Sequence, residues 1–257
     1  MMVAYLKALA LIVLLMVPHT NLMAIDNLPL IVRVSDYPPY YFRNEQGEWL
    51  GIEIEVLEEV LKEAGLDYEY MQMPWGRALE QMKIGEVNIM LALSRTAERE
   101  KYIDYVGASR YEQMVLVVKK ENINMDIKRL DDFTKFNKQF GLQIRAYYPN
   151  LSERIKEDES FKKHFFLVKA SNQNPEMTVN DHTLGFFEDK SNSIYAIRTN
   201  PKYEGLVIHS FSLAEPTPVY IGVSRKVSLA VRTKLKEAYV RLEKEGVLTK
   251  ILDKWSN

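Results

Sequence analysis

Cysteine is absent from the 257-residue chain. That excludes disulfides, thiolate-held zinc, iron–sulfur clusters, cysteine nucleophiles and lipid attachment through a thiol. An excess of charge is absent as well: 34 Lys+Arg stand against 35 Asp+Glu, a formal net charge of −1. The chain is therefore not a general polyanion binder, and no nucleic-acid partner is expected. Histidine is scarce, and beyond His19 the three others, His164, His182 and His209, show no metal-binding spacing. Neither G-x-S-x-G, G-x-G-x-x-G nor G-x-x-x-x-G-K-[ST] occurs, so the motifs point to no cofactor. What is there is the composition of a folded chain: 47% hydrophobic residues and 11% aromatic, with 15 Tyr. The length suits one large domain or two small ones and buries roughly 70% of the unfolded surface without staples.

The one long apolar run is Ala8 to Val17, preceded by Lys7, broken by Pro18 and followed by small Ala24. This is the layout of a secretory signal over residues 1–24. A ten-residue run spans about 15 Å as a helix, half a bilayer core, which argues against a stable transmembrane segment. The expected location is the periplasm, reached by export.

Beyond it, the hydrophobic pattern switches repeatedly between the periods of strand and helix. Leu30 to Val34 (LIVRV) reads as a strand that ends at Asp36-Tyr37-Pro38-Pro39-Tyr40. Val56, Leu57, Val60, Leu61 and Ala64 form a helical stripe closed by Gly65. Asp67 to Met71 reads as a strand, Trp75, Ala78, Leu79 and Met82 as a helix stopped near Gly85, Asn88 to Leu93 as a buried strand and Gln113 to Val118 as another. This alternation predicts an α/β fold with a mostly parallel sheet and helices on both faces. Further on, Phe140 to Ile144, Ser193 to Ile197, Leu206 to Ile208 and Thr217 to Val223 read as strands. Ser171 to His182 is polar and turn-rich, and Pro218 marks its strand as an edge or crossing strand. Leu229 to Leu252 reads as helix divided at Gly246, and Glu53, Glu55, Glu58 and Glu59 read as solvated surface.

Three segments fall at expected strand ends, where open α/β sheets bind ligands: Asp36–Tyr40, Met73–Arg77 and Leu93–Arg99. Arg99, beside a capping Thr96, has the chemistry to grip a carboxylate, and Tyr37 and Trp75 can sandwich a small group. A surface salt bridge for Arg99 and core packing for the two rings account for the same residues equally well.

Taken in order, YPPY, GEWLGIEIEVLEEV, PWGRAL, GEVNIMLAL and SRTAERE between Leu30 and Lys119, then PVYIGVSR and LEKEGVLTKILDKW in the tail, make the chain resemble the bacterial extracellular solute-binding proteins of family 3. These are the periplasmic binders of polar amino acid ABC transporters; Glu121 to Leu213 matches poorly. The resemblance implies a two-lobed periplasmic binding protein fold (type II) with two crossing hinge strands. Lobe 1 would be residues 25–116 and 219–257, lobe 2 residues 120–214, and the hinge region residues 117–119 and 215–218. It implies that Tyr37, preceded by Asp36, lies over the ligand and that Trp75 faces it. Ala92, Ser94, Thr96 and Arg99 would hold a carboxylate, and Arg77 would add positive charge. The acidic residue that meets the ligand amine in this family falls on Ser193 here, with Glu188 or Asp189 as possible substitutes, and Arg145 stands where a Gly-Thr turn is usual. The implied role is capture of a small carboxylate-bearing molecule by a monomer, without enzymatic activity, for an ABC permease or, alternatively, for a membrane sensor. A dehydratase-like enzyme on the same fold, or a chain that has lost its ligand, remain alternatives.

Overall fold

A computed structural model of the chain describes residues 28–256; the export segment read over residues 1–24 lies outside them. The first half runs β1 (Leu30–Val34), β2 (Phe42–Arg43), β3 (Trp49–Leu50), α1 (Ile52–Ala64), β4 (Tyr68–Gln72), α2 (Trp75–Ile84), β5 (Ile89–Leu93), β6 (Ile103–Glu112) and β7 (Met114–Lys119). It continues through β8 (Phe140–Gln143), α3 (Leu151–Glu157), α4 (Glu159–Lys162), β9 (Phe165–Val168), α5 (Gln173–Val179), β10 (Gly185–Asp189), α6 (Lys190–Thr199), β11 (Leu206–Ser212), β12 (Thr217–Ser224), α7 (Leu229–Lys244) and α8 (Val247–Ser256). Two five-stranded sheets result, in the orders β4-β1-β5-β12-β6 and β11-β7-β10-β8-β9, each the centre of one lobe. The chain passes from the first sheet to the second at Gln113, between β6 and β7, and returns between β11 and β12. Among the described residues no helix is long and apolar enough to cross a membrane.

In the first lobe β4, β1 and β5 are parallel, while β12 runs antiparallel to β5 and β6. The stripe of α1 (Ile54, Val56, Leu57, Val60, Leu61) packs with Leu235, Ala238 and Leu242 of α7 on one face of the sheet. Trp75, Ala78, Leu79 and Met82 of α2 cover the other. Gly65 closes α1 at φ 64, a conformation that costs a glycine little. Pro218 sits at the start of β12, paired with Tyr111 of β6; β5 first joins at Tyr220, so the missing N–H interrupts no central ladder.

Two local expectations differ from the structure, and one strand carries no reading in the sequence. Ser193 to Ile197 is helical, within α6, because Asp189 caps it: its Oδ1 accepts from the backbone N–H groups of Ser191 and Asn192. The turn-rich stretch holds α5. The ten residues of β6, the longest strand, give no alternating pattern because Gly107 interrupts them and both faces are partly covered. In the second lobe, Phe133, Phe140, Phe161, Phe165 and Phe187 form a ring-rich core on one side of the sheet. A smaller cluster of Val115, Val117, Phe186 and Leu206 lies apart from it.

Candidate functional site

The site is assembled at the C-terminal ends of β1, β4 and β5, closed from the other lobe by β8 and β10. After β1 the chain folds back on itself, with Tyr37 N–H donating to the Tyr41 carbonyl (2.7 Å) and Tyr41 N–H to that of Tyr37 (3.2 Å). The first amides of α1 anchor this loop: Ile52 N–H donates to the Pro39 carbonyl (3.1 Å) and Glu53 N–H to that of Tyr40 (3.0 Å). Gly51 makes the contact possible, since at φ 126 a Cβ there would stand 2.3 Å from the Tyr40 oxygen. Trp75 opens α2, and Ala92, the last residue but one of β5, takes φ 56. That left-handed residue turns the strand, so Met90 and Leu93 face α2 together while Leu91 faces α1.

Tyr37, Trp75, Ala92, Ser94 and Arg99 line one cleft of about 60 Å³. Arg99 is 6% exposed, with Nη1 donating to the Ser94 carbonyl (2.9 Å) and Nη2 to the Arg145 carbonyl (3.1 Å). Burial pushes its pKa down. Thr96 acts from behind, its Oγ1 accepting from Arg99 N–H at 3.2 Å, and lines a neighbouring groove of about 530 Å³ that also reaches Arg99. Asp36 is exposed and lines a second groove, about 260 Å³, that shares Trp75 with the cleft. Arg145 lines the neighbouring groove together with Thr96, and its carbonyl also accepts from Trp75 Nε1 (3.2 Å). Its guanidinium turns outward to Glu80 (2.5 Å) and the Gly76 carbonyl (3.1 Å).

Of the expected residues, Asp36, Thr96 and Arg145 line the grooves beside the cleft, and two reach neither the cleft nor those grooves. Arg77 is exposed on α2, one position off its buried stripe. Ser193 is buried inside α6, its Oγ donating to the Asp189 carbonyl (2.8 Å), and lines a separate apolar cavity. The resemblance put Ser193 in the family's amine-binding slot, and here that position lies inside a helix.

Sequence reasoning missed Arg33, Glu112 and Tyr148, all of which line the cleft, and left Glu188 as one alternative. Arg33 is 4% exposed in the middle of β1. Its guanidinium lies 5.3 Å from the Trp75 ring centre, with Arg99 at 5.7 Å, so one indole serves two cations. Glu188 accepts from Tyr37 Oη (2.8 Å), and Asp189 accepts from Tyr40 Oη (2.6 Å), so both bonds run between lobes. A third such contact is Asn192 Nδ2 donating to the Pro38 carbonyl (2.6 Å).

Beneath the cleft lies Arg110, 5% exposed, stacked 3.5 Å from the Tyr40 ring centre. It faces Asp189 at 3.4 Å, Glu53 at 3.7 Å and Glu112 at 3.7 Å. Glu53 is completely buried, correcting its reading as solvated surface. One Oε of Glu53 accepts from Ser109 Oγ and Ala92 N–H, and the other has no hydrogen bond. Burial raises the Glu53 pKa, and burial is also the main reason why Glu112 and Glu188 are each pushed up to about 7. Burial works against the Arg110 charge, but Tyr40 and the surrounding carboxylates outweigh it and hold its pKa well above the ordinary value. Among the described residues no group of three His, Asp or Glu is placed to hold a metal ion.

Among known proteins, the chain is 22% identical over 222 residues to the arginine-binding extracellular protein ArtP of Bacillus subtilis (strain 168), covering 86% of this chain and 83% of ArtP. A histidine kinase sensor domain with similarity to periplasmic binding proteins superposes with a TM-score of 0.77 at 18% identity, covering 90% of this chain and 96% of that one. An ancestral arginine-binding protein bound to arginine superposes with a TM-score of 0.75 at 20% identity, covering 90% and 99%. The lobed α/β fold is that of the type II periplasmic binding proteins. Residues 30–257 match the sequence pattern of one family throughout, and the chain belongs to the bacterial extracellular solute-binding proteins, family 3.

Proposed function

We propose that this chain captures a small carboxylate-bearing molecule, an amino acid or a close relative of one, between its lobes outside the cytoplasm and hands it to an ABC importer. The observation that carries this reading is the mixed charge of the cleft lining: the Arg33 and Arg99 guanidiniums over the Trp75 ring, and the Glu112 and Glu188 carboxylates. A zwitterion is the small solute that such opposed charges match. Arg99 takes the carboxylate in this reading. Ser94 and Thr96 position it, Tyr37 and Trp75 exclude water, and the two grooves receive the side chain. Its relatives' names, an arginine-binding extracellular protein among them, support an amino acid.

Closure supplies the mechanism. Ligand bridging the lobes shifts the population toward the closed form, which a permease then recognises. The hinge lies where the sheets exchange the chain, at Gln113 and between β11 and β12, and each lobe moves about these two segments. The chain acts as a monomer and performs no chemistry on its ligand.

Calorimetric titration with the protein amino acids and small dicarboxylates tests the reading. Arg99→Ala is expected to weaken the best ligand at least roughly tenfold, one charge-assisted hydrogen bond, with the fold retained. Equal affinities would remove Arg99 from the site. Uptake of that ligand lost on deletion of the gene supports the importer. Unchanged uptake, with ligand-dependent binding to a membrane kinase, would replace the importer with a sensor, the role of the histidine kinase domain that shares the fold.

A further inference from the structure

We propose that the ammonium group of the ligand is received by Glu112 and Glu188, one carboxylate from each lobe, and that Asp189 serves as an internal strut instead. The assignment rests on the reading of the cleft as an amino-acid site.

Asp189 is fully engaged within the protein. Its Oδ1 accepts from Tyr40 Oη, Ser191 N–H and Asn192 N–H, and its Oδ2 faces Arg110 at 3.4 Å. It does not line the cleft, whereas Glu112 and Glu188 do. Glu188 is 7% exposed, and both of its hydrogen bonds, from Tyr37 Oη and Asp189 N–H, go to Oε1. Its Oε2 accepts no hydrogen bond among the described residues, which leaves acceptor capacity free for a donor that enters the cleft. Glu112, 6% exposed, holds only a long contact from Ser94 Oγ (3.4 Å) and an ion pair to Arg110 at 3.7 Å. An ammonium offers three donors and suits two such acceptors.

The charges agree. Arg33, Arg99 and Arg110 stand against Glu53, Glu112, Glu188 and Asp189, all at most 7% exposed. With every group ionised the closed site holds one negative charge too many, on the side of the two glutamates. A cation there neutralises the excess, while the ligand's carboxylate meets Arg33 and Arg99. Because the two glutamates belong to different sheets, the same ammonium ties the lobes together. The titrating groups around them are Arg110, Asp189, Glu53 and Glu188 beside Glu112, and Asp189, Tyr37, Arg110 and Tyr148 beside Glu188.

The test compares the tightest-binding L-amino acid, from the twenty protein amino acids and L-cystine, with its deamino acid, which lacks only the ammonium. The wild type is expected to prefer the amino acid by roughly a hundredfold, the equivalent of two charge-assisted hydrogen bonds. Glu112→Gln and Glu188→Gln keep the shape of the side chain, and each should cut that preference roughly tenfold. Asp189→Asn should weaken both ligands alike and leave the preference intact. On the wild-type protein, titration near pH 7 in buffers of different ionisation enthalpy should show proton release with the amino acid and none with the deamino acid. A preference that survives both glutamine variants and collapses in Asp189→Asn would overturn the assignment while leaving amino-acid binding in place. Binding by no member of the panel would bring down the amino-acid reading and this assignment with it.

Discussion

Among the described residues three ion pairs join the lobes, and two of them could hardly differ more. Arg145 and Glu80 approach to 2.5 Å, but their side chains are 48% and 46% exposed. Arg110 and Asp189 stand at 3.4 Å, with side chains 4% and 2% exposed. Distance alone ranks the first pair higher. Solvent reverses the order: water and salt screen the exposed pair, while the buried one interacts through a low-dielectric interior and has no substitute partner. Burial also multiplies what Arg110 must do, since Glu53 and Glu112 face it as well. A cation that serves three buried carboxylates is a structural keystone. A surface pair across the mouth of the cleft guides closure at most.

Removing the buried partner is the severest way to break this contrast. Arg110→Met takes away the one ion-pair partner that Glu53, Glu112 and Asp189 have among the described residues, and is expected to cost roughly 3–5 kcal/mol. The measurement is urea denaturation at pH 8. The loss should shrink at pH 5, where the abandoned glutamates can take up protons. A cost below about 1 kcal/mol at pH 8 would mean that the cluster is solvated and the contrast is lost.

The pH dependence of the unmutated protein sharpens the same point. Glu112 and Glu188 lie near 7 in the folded protein against an ordinary 4.5. Below pH 4.5 both states hold the protons, so nothing changes there. Between 4.5 and 7 the unfolded chain has released them and the folded protein has not, so stability falls as pH rises and levels off above 7. Each group contributes at most roughly 3 kcal/mol across this window. Denaturation midpoints should therefore decline from pH 5 to pH 8, and Glu112→Gln or Glu188→Gln should each flatten the decline. Midpoints that climb over this range would contradict the burial of the two carboxylates.

The two walls of the cleft were unequally legible in the sequence. Tyr37, Trp75, Ala92, Ser94 and Arg99 stand at or just beyond the ends of β1, β4 and β5, where a change of hydrophobic period marks the spot within a few residues. Arg33 gives no such signal, because a charged residue inside LIVRV reads as the wet face of a strand, and only tertiary packing against Trp75 covers it. Glu53 is hidden for a related reason. Four glutamates in one short stretch look alike, and only the one that meets Ser109 and Arg110 across the sheet is fully buried. In the second lobe, the β-branched and aromatic run Ser193 to Ile197 has strand composition. The aspartate cap that makes it a helix lies four residues upstream of Ser193, whose hydroxyl bonds back to the carbonyl of that same aspartate. Local pattern locates strand ends; it does not say which charges are carried inside.

Arg145→Met is the mildest test and the most discriminating for the exposed pair. What Arg145 supplies to the cleft is its carbonyl, which accepts from Trp75 Nε1 and Arg99 Nη2. That carbonyl is set by a left-handed backbone, φ 64, which methionine occupies no less readily than arginine. The substitution thus deletes the guanidinium and its bond to Glu80 and keeps the backbone contact. The urea midpoint is expected to stay within about 0.3 M of wild type, and added salt should erase even that difference. A loss approaching that of Arg110→Met would show that the guanidinium on the rim, and not the buried cluster, holds the lobes together.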